Sequence, residues 1–203
     1  MSEAQASYPL DLYLCRSCGH VQLLDVVDPQ ALFGDYIYST SISLGLVEHF
    51  RRYADELLQR FPVSSAALAI DIGSNDGSLL RFLRDRGLRV LGIDPAVSIA
   101  DQATKAGVET VPAFFTSNLA RRIRRERGPA AFVTANNVFA HSDGLPDKAD
   151  GVRELLSPDG VFVFEVSYLV DIVEKLLFDT VYHEHLCYHS VRPLESFFSR
   201  HGL

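Results

Sequence analysis

The sequence predicts a doubly wound α/β domain preceded by a small β-rich segment. Three observations carry this reading. From residue 67 onward, strand-like apolar runs alternate with helix-like ones, the order expected of a parallel sheet with right-handed crossovers. Those runs are continuously apolar, as in strands covered on both faces. Each ends in residues more polar than itself, at the edge where open α/β sheets bind ligands.

Residues 1–45 stand apart. LYLCRSCGHVQLL sets short apolar runs around Cys15-x-x-Cys18-Gly19, as in a small β knuckle. DPQALFGDYIYSTS follows, with turn residues early and Tyr36 and Tyr38 late. From 46, LVEHFRRYADELLQRF places Leu46, Phe50, Tyr53, Leu57 and Phe61 on one helical stripe. ALAIDIG (67–73) is the first buried strand, with a helix through SLLRFLRDRG behind it. RVLGIDP (89–95) is the second strand, AVSIADQATKAG the second helix, and VETVP a short third strand leading to an arginine-rich helix. AAFVTANN (130–137) is the fourth strand, DKADGVRELLSPDG a helix ending at a turn, and VFVFEV (161–166) the fifth strand. SYLVDIVEKLLF and PLESFFSRHG are further helices, the last with a glycine placed to cap it. The expected division is 1–45 and 46–203. A sheet of this kind usually continues, so the sequence is expected to be cut short, with a sheet edge that something else covers.

The 203 residues, 47% hydrophobic and 22% charged, have the balance of a folded globular protein. No apolar run approaches membrane-spanning length, and the N-terminus lacks the basic-then-apolar order of an export signal. A cytoplasmic protein without a membrane partner is expected. The net charge of -7 argues against nucleic acid as a general partner, and RRIRRER (121–127) reads as a solvated helix face. Cys15, Cys18 and Cys187 are an odd number in a chain without an export signal, which favours thiols or a metal over disulfides. Cys15 and Cys18 by themselves are a zinc half-site, a redox pair or a chance pair.

The strand ends name a ligand class. DIGSNDG gives Asp71-x-Gly73-x-x-x-Gly77 between a strand and a helix, where glycines let the backbone turn tightly and approach a ligand. The spacing is not that of a dinucleotide-binding loop. An acid opening the turn repels phosphate and attracts a positive amino group. Asp94 ends the second strand, where a carboxylate accepts hydrogen bonds from ribose hydroxyls. Together they fit S-adenosylmethionine, a nucleoside with a cationic amino-acid tail.

VYHEHLCYHS (181–190) concentrates three of the seven histidines beside Tyr182, Glu184, Cys187 and Tyr188. On residue types alone it is an acid–base cluster, a metal site through His183, His185 and Cys187 or His189, or a structural polar patch. Its spacing is not His-Glu-x-x-His.

DIGSNDGSLL, GIDPA, ANNVFAH and FDTVYHEHLCYHS, in this order and with CRSCGHVQL and YIYSTS ahead of them, resemble the S-adenosylmethionine-dependent sugar C-methyltransferases. The resemblance runs over nearly the whole chain. It implies a zinc-binding knuckle, a central methyltransferase domain, a C-terminal domain helping to hold a nucleotide-linked 4-keto deoxysugar, and methylation at C3 of that sugar. It puts cofactor contacts on Asp71, Gly73, Asn75, Asp76, Gly77, Asp94 and Pro95, with Asn136 and Asn137 beside them. It puts the base on His185, with Tyr182, Glu184, His141 and Tyr36 as its catalytic neighbours. The sequence departs from the family twice. The family knuckle has two Cys-x-x-Cys pairs, of which this sequence shows only Cys15 and Cys18, and the family's C-terminal domain is expected to be missing from it.

The implied chemistry suits these residue types. A 4-keto group acidifies the neighbouring C–H, and histidine titrates near the working pH. Glu184 is placed to orient the ring, and Tyr182, Tyr36 and His141 to stabilise an enolate. The competing readings are an O- or N-methyltransferase, which needs no base for a carbon-bound proton, and a cofactor-binding module without catalysis.

Overall fold

A computed structural model describes residues 7–34 and 39–203. Its centre is a five-stranded parallel sheet. The strands are β3 (Leu68–Ile72), β4 (Arg89–Asp94), β5 (Thr110–Pro112), β6 (Ala130–Asn136) and β7 (Leu156–Glu165), arranged β5-β4-β3-β6-β7. Every residue of β3 is buried, as its unbroken apolar run requires. The chain winds outward from β3 through β4 to β5, then crosses back to β6 and β7 on the other side. That reversal opens a crevice at the carboxyl ends of β3 and β6.

Helices cover both faces. On one lie α5 (Ser117–Arg127) and α6 (Leu145–Leu155), burying Leu119, Ile123, Val152 and Leu155 against Ile70, Ile72 and Val133. On the other lie α2 (Leu44–Arg60) and α3 (Ser78–Asp85), which pack Phe50, Leu57, Leu80 and Leu83 on Ala69 and Phe132. Fully burying each leucine contributes about 1.5–3 kcal/mol. Ser43 caps α2 by accepting the Leu46 N–H, and Thr116 caps α5 by accepting that of Leu119. The short α4 (Val97–Lys105) completes the first crossovers.

A second, three-stranded sheet joins distant parts of the chain. β1 (Leu12–Leu14) and β2 (Val21–Leu23) form the expected antiparallel knuckle, and β2 also pairs with β8 (Cys187–Tyr188). The histidine-rich stretch is therefore partly strand. Leu23, Leu186, Tyr188 and Ile172 bury a common core there, which ties the knuckle to α7 (Leu169–Glu174).

Three elements differ from the sequence reading. Asp28 and Pro29, taken as turn residues, start a short helix, α1 (Pro29–Phe33), with the Asp28 carboxylate accepting the Gln30 N–H. The SPDG after α6 is not a turn closing the helix but lies within β7. β6 pairs with Leu156 through Ala130 and with Val161 through Phe132, so Ser157–Gly160 lie between two anchored pairings. And SYLVDIVEKLLF is α-helical only over α7, with a 3-10 turn opening at Phe178. The closing helix, α8 (Val191–Arg200), is as expected. No helix among the described residues is long and apolar enough to cross a membrane.

Candidate active site

The turn after β3 takes the left-handed conformation at alternate residues, Gly73 (φ 69°), Asn75 (φ 50°) and Gly77 (φ 74°). A side chain at Gly73 would meet Val138, and one at Gly77 would stand 2.9–3.1 Å from Val108. Glycine is required at both. Asn75 tolerates this region better than most residues. Its backbone N–H donates to Asp94 Oδ2 at 2.9 Å, while Asp94 Oδ1 accepts the Ala96 N–H at 2.9 Å. The second-strand acid is thus fixed against the glycine turn.

A cavity of about 260 Å³ opens over these strand ends, lined by Asp71, Gly73, Asn75, Asp94, Pro95, Asn136, Asn137 and His141 among others. Burial pushes the Asp71 carboxyl up to about 7; the Thr134 hydroxyl, donating at 2.6 Å, pulls it back, and the Asp94 charge raises it further. Burial likewise raises Asp94, against the N–H groups of Ala96 and Asn75. Two carboxyls held above their ordinary range favour a positively charged ligand. Both amide atoms of Asn136 are buried with no hydrogen-bond partner among the described residues. An unpaired buried amide costs about 1–3 kcal/mol, which a polar ligand would recover. Acids, left-handed turn and orphaned amide together fit a cationic nucleoside such as S-adenosylmethionine.

Gly77 and Asp76 do not line the cavity. Gly77 lets the chain pass Val108, and Asp76 caps α3 by accepting the Ser78 N–H and hydroxyl at 3.1 and 2.6 Å. Their work is to hold the turn.

His141 sits at the cavity wall on a single turn of 3-10 helix, Phe139–His141. Phe139, fully buried against Phe162, Phe164 and Phe198, anchors that turn. The His141 ring faces that of His185 at 5.0 Å between centroids. His141 Nδ1 lies 2.7 Å from the Glu184 carbonyl, and His185 Nδ1 2.7 Å from the Thr180 carbonyl. A carbonyl oxygen only accepts, so both Nδ1 atoms carry a proton, and in the neutral form of either ring Nε2 is the basic nitrogen. Burial moves His141 down from its ordinary value, and the His185 charge adds to this, against the Glu184 carbonyl. His141 is therefore neutral near pH 7. The Tyr182 hydroxyl lies 3.1 Å from His185 Nε2, with the rings 4.3 Å apart, so it donates to that nitrogen.

The orienting role expected of the Glu184 side chain belongs to backbone. The Thr180 carbonyl fixes His185, and Glu184 contributes its own carbonyl to His141. His183 turns away, its Nε2 3.1 Å from the carbonyls of Tyr8 and Pro9. Tyr182, Glu184 and His185 are beside His141 in the structure but not among the residues that line the cavity. Tyr36 lies outside the described residues.

Cys15 and Cys18 share one exposed turn. The N–H groups of Cys18 and Ser17 and the Cys18 thiol draw the Cys15 thiol below its ordinary range. His20 turns inward, its ring 5.5 Å from that of the buried His189. Among the described residues no three His, Cys, Asp or Glu side chains converge as a metal site. Two thiols do not fit a four-ligand zinc site without donors from elsewhere.

Several lining residues were not singled out from the sequence. Phe114 and Phe115 follow β5, where the strand-end rule could have found them, and Lys148 and Asp143 flank the start of α6. Pro29, Phe33 and Thr40 also line the cavity, Phe33 with its ring 5.4 Å from that of His141. The Thr180 carbonyl carries no sequence signal, since any residue supplies one.

Comparison with known proteins agrees with this geometry. A family model described as "Methyltransferase domain" matches residues 46–203, and one described as "Putative zinc binding domain" matches residues 1–33. The C-methyltransferase NovU of Streptomyces niveus is 39% identical over 97% of this chain and 47% of its own length. The chain spans about half the length of the curated relatives it matches. Among solved structures, a chain of the Haloferax volcanii complex containing the Trm112 methyltransferase activator aligns with a TM-score of 0.60 at 18% identity, covering 78% of this chain and 71% of that one. The cyclopropane synthase MmaA2 of Mycobacterium tuberculosis aligns with a TM-score of 0.56 at 15% identity, covering 85% and 69%. These two likenesses show a shared fold.

Proposed function

The chain belongs to the methyltransferase-domain family, and from that premise we propose that it is the core of an S-adenosylmethionine-dependent C-methyltransferase. Its substrate is a nucleotide-linked 4-keto deoxysugar, methylated at C3. The observation that carries the reading is the pair of histidines, 5.0 Å apart beside the cavity, each with Nδ1 fixed on a backbone carbonyl and Nε2 left as base. Methylation at a carbon next to a ketone needs a base for the C–H, and a histidine so fixed can supply it. The name of NovU, a C-methyltransferase, supports the same choice, and the sugar comes from the motif resemblance.

Asp94 holds the ribose, Asp71 faces the amino-acid tail, and the Asn136 amide meets its polar end. Asn137 and Pro95 close the cavity around them. The cofactor supplies an electrophilic methyl group. The protein supplies the base. The sugar extends past the cavity lining to the Tyr182–His185 pair, where, as the C3 proton leaves, the Tyr182 oxygen receives it and passes its own proton to His185 Nε2 along the 3.1 Å hydrogen bond. The imidazolium so formed keeps its Nδ1–H on the Thr180 carbonyl. His141 lines the cavity with its Nδ1–H committed to the Glu184 carbonyl, so of the two candidates Tyr36 is left to donate to the enolate oxygen. Alignment of the two reactants does the rest.

The test is solvent exchange. Protein given the keto sugar in deuterium oxide with no methyl donor exchanges C3–H for deuterium, because deprotonation precedes transfer. An O- or N-methyltransferase gives no exchange under these conditions, and that result would overturn the carbon-methylation reading.

A further inference from the structure

The segment Ser39–Ser41 is tied to the glycine turn by four hydrogen bonds. Ser39 Oγ donates to Asp76 Oδ2 at 2.7 Å, and the Ser41 N–H donates to the same oxygen at 2.8 Å. The Thr40 N–H donates to Asn75 Oδ1 at 2.9 Å, and the Thr40 hydroxyl to that oxygen at 3.3 Å. Asn75 in turn donates its own N–H to Asp94. One unbroken chain of hydrogen bonds thus runs from the ribose acid, through the turn, to the wall formed by Pro29, Phe33 and Thr40.

Two further facts single out Asn75 and Asp76 as the link. Asp76 stands outside the lining, and its two oxygens divide their work, Oδ1 on the α3 cap and Oδ2 on the serine segment. Burial opposes its charge, but the donors Ser39, Ser78 and Ser41 outweigh burial and hold the carboxyl below its ordinary range. It stays an anion and a strong acceptor. Thr40, itself 6% exposed, is drawn against the turn and into the cavity wall by the Asn75 amide oxygen.

We propose that Asn75 and Asp76 are positioning residues through which cofactor binding builds the substrate side of the site. A turn with two glycines, and with Asn75 also at positive φ, loses much backbone freedom when it is held in one conformation. A nucleoside bonded to Asp94 and the turn reduces its freedom, and the four bonds pass that order on to Ser39–Ser41 and to the wall beside them. The cofactor then binds first and the keto sugar second. This rests on the cofactor reading given above.

Hydrogen exchange read by mass spectrometry, with and without S-adenosylhomocysteine, tests it on the protein as it stands. In the unmodified chain the ligand should slow exchange of the amides at 73–77 and of those at 39–43, each by about five- to tenfold, the scale of one hydrogen bond. Ser39→Ala, which leaves the Asp76 contact with Ser78 untouched, should keep the slowing at 73–77 and clearly reduce it at 39–43. Slowing at 73–77 alone in the unmodified chain overturns the coupling while leaving the cofactor reading intact. So does a Ser39→Ala chain in which 39–43 stays protected. If the homocysteine compound leaves both segments unchanged and gives no binding heat, the cofactor reading itself fails, and this inference with it.

Discussion

At the scale of single residues, the histidine cluster and the buried acids make the sharpest claims. If His185 is the base, His185→Ala should lose both deuterium exchange and methylation, by about 10²–10⁴ in rate. Glu184→Gln should change either little, because the contact Glu184 makes with the cluster is through its carbonyl, which the substitution keeps. A large loss in Glu184→Gln with near-normal His185→Ala would reverse the assignment. Asp71 carries a pH signature. Its carboxyl lies at about 7 in the folded chain, above the unfolded value, so the folded state holds the extra proton between about pH 4 and 7. Stability contributed by this group therefore falls as pH rises through that window and is level above it. Affinity for a cationic ligand runs the other way. It should tighten as pH rises toward 7, because the ligand favours the carboxylate and its binding expels the proton. Calorimetry in two buffers of different ionisation enthalpy reads that proton directly, and Asp71→Asn should abolish its release.

At the scale of elements, the glycine turn and the 3-10 turn hold the site. Gly77→Ala adds a Cβ at positive φ within 2.9–3.1 Å of Val108, and should lower unfolding free energy by about 1–3 kcal/mol in urea. Phe139→Ala empties a fully buried site at the root of the His141 turn. It should cost about 3–5 kcal/mol and loosen His141 with it; a stable variant with unchanged activity would show that the turn is held elsewhere. The parts of the fold legible in the sequence were those written locally. Asp71, Gly73 and Asp94 could be placed because a buried apolar run, a turn and a helix follow one another along the chain. The pairing of β2 with β8 joins residues more than 160 positions apart, and nothing near Cys187 announces it. Asp28 and Pro29 were ambiguous for a physical reason, since the residues that open turns also open helices. SPDG misled because β6 holds strand on both sides of it. In the site, side-chain roles could be inferred from type and spacing, whereas the Thr180 and Glu184 carbonyls depend on where the backbone folds back.

At the scale of the molecule, the strand-end cavity, a histidine pair and a thiol knuckle meet through two sheets. The knuckle contributes packing through β2 and β8, while its two thiols make an incomplete zinc site. Purified protein should therefore hold zinc weakly, and elemental analysis after dialysis against a mild chelator should find well under one ion per chain. Tight, stoichiometric zinc would require donors beyond Cys15 and Cys18. The central claim is that the crevice between β3 and β6 binds an S-adenosyl nucleoside, with Asp94 on its ribose. Titration calorimetry of the chain with S-adenosylhomocysteine, beside its Asp94→Ala variant, tests this most directly. One site per chain is predicted, weakened in the variant by about 1–3 kcal/mol, the cost of leaving the ribose hydroxyls unpaired. No binding, or equal affinity in the two proteins, would contradict the account.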